Sequence, residues 1–278
     1  MTQYNYPSVL CIAGFDGSGG AGIQADIKTI SALGCYATSV LTALPVQNTT
    51  GVKTIYPIPV VAVADQLRAI LDDIFPDAIK IGMVHRPGLV ETIVRVLKEY
   101  PHVPLVFDPV MVASSGQRLI EAATVDNIKE HLFPICDIIT PNLDEAAVLA
   151  AMPVTTVADM YQAGAYIKTL GAASVLLKGG HLPQEQITSL YFTKEGAVLE
   201  YHSGKYKTNN THGTGCTLSS AIAAYVARGL SLAEAVGQGQ EYVRLAILSG
   251  RDVRTGKGKG PLNHFFEPHP LIKRELPG

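Results

Sequence analysis

The sequence predicts an α/β protein with a mostly parallel central sheet and helices on both faces. Three observations predict it. Short apolar runs of strand length alternate along most of the chain with longer stretches of helical period, the pattern of successive β-α-β units. A glycine-rich turn, Gly14 to Gly20, joins the first strand directly to the first helix. No linker, low-complexity tract or fixed-period repeat interrupts the 278 residues, so residues 1–278 are expected to form one domain.

The first strand is the apolar run Ser8 to Ala13, and Ala21 to Leu33 is the first helix. Tyr36 to Ile58 is long, rich in Val, Thr and Ile, and broken by Asn48-Thr49-Thr50-Gly51; it predicts two antiparallel strands around a turn, a short hairpin flap. Further strands are expected at Ala78 to Ile81, Leu105 to Phe107, Ile138 to Thr140 and Ser174 to Leu177. Helices fall at Ala62 to Ile74, Leu89 to Glu99, Thr124 to Leu132, Leu143 to Ala150 and Val157 to Leu170. Ile187 to Tyr201, split by Lys194-Glu195-Gly196, predicts a second hairpin. Helices follow at Thr217 to Arg228, with Gly229 just past its end, and at Leu232 to Leu248. Gly256 to Pro261 is expected to be a loop and a candidate ligand contact.

Composition narrows the function. A 47% hydrophobic and 17% charged content suits a globular protein with a sizeable core. A net charge of -2 and no basic stripe argue against a nucleic-acid partner. The apolar runs fall short of the roughly 20 residues that a membrane span needs. Met1 to Pro7 carries no basic residue and no long apolar core, so no secretory signal is expected and a cytoplasmic location is the default. Cys11, Cys35, Cys136 and Cys216 make no Cys-x-x-Cys pair and support neither a zinc site nor a disulfide framework. Cys11 and Cys136 lie in apolar runs and are expected in the core.

Gly17 to Gly22 matches Gly-x-Gly-x-x-Gly between a strand and a helix, but Tyr36 to Gln47 lacks the acid that would hold a dinucleotide ribose. A glycine turn admitting another ligand fits better than a nicotinamide site. No phosphate-binding Gly-x-x-x-x-Gly-Lys-Ser/Thr loop is present. Thr211-His212-Gly213-Thr214-Gly215-Cys216 is more informative. Glycines opening a helix leave backbone N–H groups free to hold an anion such as a phosphate. Cys216 sits near that positive end, where the helix dipole can pull a thiol pKa downward.

Three further segments stand at the carboxyl ends of expected strands, where ligands gather in such sheets. Asp108 follows Leu105 to Phe107, Asn142 and Glu145 follow Ile138 to Thr140, and Lys178-Gly179-Gly180-His181 follows Ser174 to Leu177. Asn142 and Glu145 offer hard oxygens for Mg²⁺ through water, and Lys178 could neutralise a nucleotide phosphate while the glycines admit it closely. The plainer alternatives are a turn acid, a helix N-cap at Asn142 and a solvated lysine. His181 and His212 are possible proton carriers, though loop histidines are more often surface residues.

Together with Gly14 to Asp26, Val46-Gln47-Asn48-Thr49, Lys80-Ile81-Gly82-Met83, Asp108 to Met111 and Thr140-Pro141-Asn142-Leu143, these segments closely resemble the hydroxymethylpyrimidine/phosphomethylpyrimidine kinases of thiamine biosynthesis. The similarity runs in order from about Ser8 to about Phe265. It implies a ribokinase-like three-layer α/β/α fold, usually a homodimer, using ATP and Mg²⁺. The implied reaction phosphorylates 4-amino-5-hydroxymethyl-2-methylpyrimidine and then its monophosphate to the diphosphate.

By position, the resemblance makes Gly213, Thr214, Gly215 and Cys216 the anion hole, with Cys216 as proposed general base. Gln47 is implied to hydrogen-bond the pyrimidine, within a pocket walled by Gly14, Asp16, Ala21, Pro45, Met83 and Val110. Asp108, Asn142, Lys178 and Thr211 are implied at the nucleotide, and Asn142 and Glu145 at Mg²⁺. The chain departs from the pattern at three places. Most ribokinase-like enzymes have an aspartate in place of Cys216, and Gly17 and Pro45 stand where this family often has proline and valine. A pyridoxal kinase on the same fold and a silent pyrimidine-binding module are the alternatives; a methionine in place of Gln47 would mark the former.

Overall fold

The computed structural model describes residues 2–111, 120–180, 182 and 186–276. The elements are, in chain order, β1 (Tyr4–Asn5), β2 (Ser8–Ala13), α1 (Gly22–Ala32), β3 (Tyr36–Leu41), β4 (Ala43–Asn48), β5 (Gly51–Pro57), α2 (Val60–Leu71), β6 (Ala78–Ile81), α3 (Pro87–Leu97), β7 (Leu105–Phe107), α4 (Ala122–Asn127), β8 (Ile138–Ile139), α5 (Leu143–Ala150), α6 (Val157–Lys168), β9 (Val175–Leu177), β10 (Gln186–Phe192), β11 (Val198–Gly204), α7 (Thr214–Ala227), α8 (Leu232–Gly250) and β12 (Arg274–Glu275).

Eight strands form one sheet in the order β11-β10-β9-β8-β7-β6-β2-β3, parallel from β3 to β9 and antiparallel at β10 and β11. Side-chain alternation sends successive residues of a strand to opposite faces. In β2, Leu10 and Ile12 join a core with Ile81 and Phe107 beneath α2, α3, α5 and α6, whereas Val9, Cys11 and Ala13 join a core formed with α1, α7 and α8. Two cores on two faces give the expected three-layer α/β/α arrangement. Capping boxes start α5, α6 and α8: Asn142 with Glu145, Thr156 with Asp159, and Ser231 with Glu234.

The structure corrects the reading of Tyr36 to Ile58. Tyr36–Leu41 is not part of a hairpin but a parallel strand of the main sheet beside β2; the hairpin is β4 with β5 alone. Thr42 makes the corner, its N–H donating to Ala13 O (3.0 Å) and its Oγ1 to Met83 O (2.8 Å). The second expected hairpin is present as β10 and β11, which extend the sheet edge. Where one helix was expected over Thr124 to Leu132, α4 passes into a π-helical turn at Ile128–Leu132 and a short 3₁₀ turn at Phe133–Ile135 containing Pro134, which has no N–H to continue the ladder. Helix α7 begins at Thr214 rather than Thr217, so Thr214, Gly215 and Cys216 belong to its first turn. Among the described residues no helix is long and apolar enough to cross a membrane.

β2 lies between β3 and β6, so the chain leaves it first to one side and later to the other. That reversal opens a crevice at the carboxyl ends of β2 and β6.

Candidate active site

The crevice floor is made by close backbone packing. Gly14, just past β2, meets Met83, just past β6, so closely that a Cβ on Gly14 would lie 2.6 Å from Met83 Cε. Ile23 N–H donates to Gly14 O (2.9 Å), which draws the start of α1 onto the same turn. Asp16 organises this corner. It accepts from Ser18 N–H (2.9 Å), Ser18 Oγ (2.7 Å) and Ala21 N–H (2.7 Å), and its Oδ2 lies 2.8 Å from His212 Nε2. Burial alone would raise its pKa, but hydrogen bonds from His212, Ser18, Gln47 and the Ala21 amide outweigh that and hold the carboxyl well below the usual range.

Gln47 reaches Asp16 from the hairpin. The β4–β5 register shifts between Val46 and Gln47, and such a bulge re-aims the side chain that follows it. Pro45 is buried, Val46 exposed and Gln47 half-buried. The structure thus joins Gly14, Met83, Asp16, Ala21 and Gln47 at one corner. Val110 is half-buried beyond β7, its N–H donating to Asp108 O (2.8 Å).

The anion loop packs against that corner. Gly213 has φ +84, and a Cβ there would overlap the Gly20 carbonyl oxygen and lie 2.7 Å from the Gly20 carbonyl carbon. Gly213 caps α7 with no side-chain hydrogen bond to the helix. Helix geometry leaves the Gly215 and Cys216 amides without intrahelical acceptors. Thr211 is exposed, and its carbonyl accepts from Thr214 N–H (3.3 Å) and Oγ1 (2.7 Å). Cys216 departs from expectation. Burial pushes its thiol up to about 11, with Lys80 pulling down and Asp26 and Asp108 pushing up. Desolvation of the thiolate is the largest influence, so the thiol lies above its ordinary value rather than below it as the sequence suggested.

Gly215 looks the other way, toward the charged end of the crevice. A Cβ on it would lie 3.1 Å from Asp108 Oδ2 and 3.3 Å from Lys178 Nζ. Lys178 Nζ bonds Asp108 Oδ1 at 2.8 Å, and Thr140 Oγ1 donates to the same oxygen at 3.0 Å. Asn142 and Glu145 form the helix cap that was the plainer alternative: Glu145 N–H donates to Asn142 Oδ1 (2.9 Å) and Asn142 N–H to Glu145 Oε2 (2.8 Å). Burial raises the Glu145 carboxyl to about 7, with Lys178 opposing it and Asp108 adding to it. Two buried carboxylates therefore share one lysine, an acidic surplus that suits a hard cation. No three His, Cys, Asp or Glu side chains converge on a direct metal site among the described residues.

Gly179 has a different task from the one its sequence suggested. A Cβ on it would overlap the Thr188 carbonyl, so it admits β10 rather than a ligand, whereas Gly180 faces open space. His181 lies outside the described residues. The His212 ring is engaged with Asp16, and the His212 backbone N–H donates to Gly260 O (3.0 Å). The Gly256 to Pro261 loop meets the hairpin tip, with Gly258 N–H reaching Thr49 Oγ1 (3.1 Å) and Lys259 N–H reaching Thr49 O (3.0 Å).

Two supporting groups escaped the sequence reading. Lys80 and Asp26 form a fully buried ion pair, whose trace in the sequence was a lone charge inside the apolar run Ala78 to Ile81. Buried His264 places Nε2 3.2 Å from Thr217 Oγ1, next to Cys216, and burial lowers its pKa to about 4. Nothing local marked it.

Comparisons with known proteins show the family. A family described as phosphomethylpyrimidine kinase matches residues 16–263. The hydroxymethylpyrimidine/phosphomethylpyrimidine kinase of Escherichia coli is 42% identical over 259 residues, 93% of this chain and 97% of that one. A thiamine biosynthesis bifunctional protein of Geobacter sulfurreducens is 44% identical over 93% of this chain, but this chain covers 52% of it, and it covers 48% of a 41% identical bifunctional enzyme from rice. The chain thus spans about half the length of the first curated relatives it matches. Among solved structures, a phosphomethylpyrimidine kinase of Clostridium difficile is 41% identical with a TM-score of 0.76, covering 86% of this chain and 99% of that one. The pyridoxal kinase of Staphylococcus aureus, solved with AMP-PCP and pyridoxal, gives 0.86 at 30% identity, covering 98% and 100%.

Proposed function

The chain belongs to the phosphomethylpyrimidine kinase family, and from that membership we propose that it is a phosphotransferase of thiamine biosynthesis. It passes the γ-phosphoryl group of ATP to the hydroxymethyl oxygen of 4-amino-5-hydroxymethyl-2-methylpyrimidine, then to the phosphate of the resulting monophosphate. One juxtaposition carries the reading. On one side the first turn of α7 faces Asp108 and Lys178 at Gly215; on the other, His212 of the same loop meets Asp16, which Gln47 also reaches. An acceptor corner and a phosphate corner therefore share one anion-binding loop.

Phosphoryl transfer asks for alignment and charge neutralisation more than covalent help. Within the Gly213 to Cys216 loop the free amides of Gly215 and Cys216 hold the transferring group, and Lys178 balances nucleotide charge beside Asp108. Asn142 and Glu145 would hold Mg²⁺ through water, where the ion would supply neutralisation of phosphate charge. Gln47 hydrogen-bonds the aminopyrimidine, because an amide both donates to a ring nitrogen and accepts from an exocyclic amine. Cys216 takes the hydroxymethyl proton in the first step, and the second acceptor is already an anion. Since desolvation keeps the thiol protonated at neutral pH, the balance of Lys80 against Asp26 and Asp108 sets the reactive fraction. The resemblance supports a cytoplasmic homodimer acting on small molecules.

Pyridoxal phosphorylation is the second reading, favoured by the closer overlay on the Staphylococcus aureus enzyme. ADP release with the pyrimidine alcohol, its monophosphate and pyridoxal, compared side by side, separates the two. Turnover of both pyrimidines ahead of pyridoxal is expected; pyridoxal far ahead of both overturns the substrate assignment.

A further inference from the structure

All four residues of β6, Ala78-Ile79-Lys80-Ile81, are buried, and Lys80 and Asp26 are both wholly excluded from solvent. Lys80 Nζ bonds both Asp26 oxygens at 2.8 Å, and Ser220 Oγ donates to Asp26 Oδ1 at 2.8 Å. The trio ties α1, β6 and α7 together. Replacing such a pair with apolar residues of similar volume is often neutral or stabilising, so packing alone is a weak reason to keep one.

Its position supplies a better reason. Ser220 stands four residues after Cys216 on α7, one turn along the same face. Gly82, past the end of β6, comes so close that a Cβ on it would lie 2.8 Å from Lys80 Nζ. The pair thus meets α7 one turn beyond Cys216, next to the end of β6 that borders the crevice. The charged groups acting on Cys216 are Lys80 from β6, Asp26 from α1 and Asp108 after β7, with Lys178 after β9 beside Asp108; Lys80 has the largest influence of these on the thiol.

We propose that Lys80, held by Asp26 and Ser220, is a positioning residue that fixes a positive charge behind α7, one turn from Cys216, to stabilise the Cys216 thiolate. Its catalytic consequence rests on Cys216 being the proton acceptor, whereas its effect on the thiolate can be measured without turnover. The chain needs no added group for this, because the charge arrives with the fold.

The test is the pH dependence of Cys216 alkylation by iodoacetamide in the full-length protein, read peptide by peptide. Buried Cys35 and Cys136, on which neither Lys80 nor Asp26 acts, serve as internal references. Asp26→Asn removes the charge that offsets Lys80, so Cys216 at pH 8 should react at least about threefold faster, a half-unit fall in its pKa. The double variant Lys80→Met with Asp26→Asn removes both charges, leaves no buried ion unpaired, and should react at least about threefold slower. A double variant that folds and titrates as wild type, or that fails to fold, makes the pair a packing element and overturns the proposal. If Cys216→Ala leaves phosphorylation of the alcohol intact, the proton-acceptor reading fails while the titration result stands, so the two failures are told apart.

Discussion

Two glycines two positions apart on the anion loop should fail in opposite ways when changed to alanine. Gly213 sits at φ +84, which costs an L-residue about 1–2 kcal/mol. Its Cβ would also lie 2.7 Å from the Gly20 carbonyl carbon and 3.0 Å from Ala21 Cα, all backbone that cannot step aside. Strain plus overlap places Gly213→Ala in the severe class, roughly 4 kcal/mol or more. At about 2–4 °C per kcal/mol for a chain of this size, the melting temperature should fall by roughly 8–16 °C. Gly215 has helical backbone, and alanine there gains up to about 1 kcal/mol of helix propensity. Its methyl, however, would stand 3.1 Å from Asp108 and 3.3 Å from Lys178, where the phosphate is to lie. Gly215→Ala should therefore melt within about 2–4 °C of wild type and lose at least about tenfold in kcat/KM. Thermal melts by circular dichroism and ADP-release kinetics read both. A Gly213→Ala protein that melts like wild type, or a fully active Gly215→Ala protein, refutes the packing described for the loop.

Two further outcomes follow. Gln47→Met should lower kcat/KM for the pyrimidine alcohol by about 10–100-fold, the range for losing a hydrogen-bonding reader, and should raise the pyridoxal to pyrimidine ratio in the same assay. His264 is a base whose folded pKa, about 4, lies below its ordinary 6.5, so its stabilising contribution is complete above pH 6.5 and is lost as pH falls toward 4. The linkage amounts to about 2 kcal/mol between pH 7.5 and pH 5. In His264→Gln that slope should be missing from urea unfolding curves taken across the range.

The fold was legible wherever local pattern and final structure coincide. Ala78–Ile81 and Leu105–Phe107 are apolar runs bounded by breakers, and they appear with their expected limits. Tyr36–Leu41 was hidden because the break at Thr42 has no local signal; it is made by bonds to Ala13 and Met83. The site divides similarly. A helix opening after the glycine loop was visible, since glycine spacing is local, although it starts at Thr214, three residues before the expected Thr217. The half-buried setting of Cys216 was not, and desolvation there is the largest influence on its thiol. Asn142 and Glu145 show how one motif serves two purposes, because the capping box that starts α5 also sets two oxygen-bearing side chains beside Lys178 and Asp108. The Lys80 partner lies 54 residues away on another element, a pairing that only the folded sheet reveals.

The account turns on the anion loop acting as a phosphoryl-transfer site with Cys216 as its proton acceptor. Phosphorus NMR of products formed by Cys216→Ala, supplied separately with the pyrimidine alcohol and with its monophosphate, tests this most directly. The first phosphorylation should fall by about 10²-fold or more, the scale of a lost general base, while conversion of monophosphate to diphosphate stays within a few-fold of wild type. Equal losses in the two steps would contradict the role assigned to the thiol.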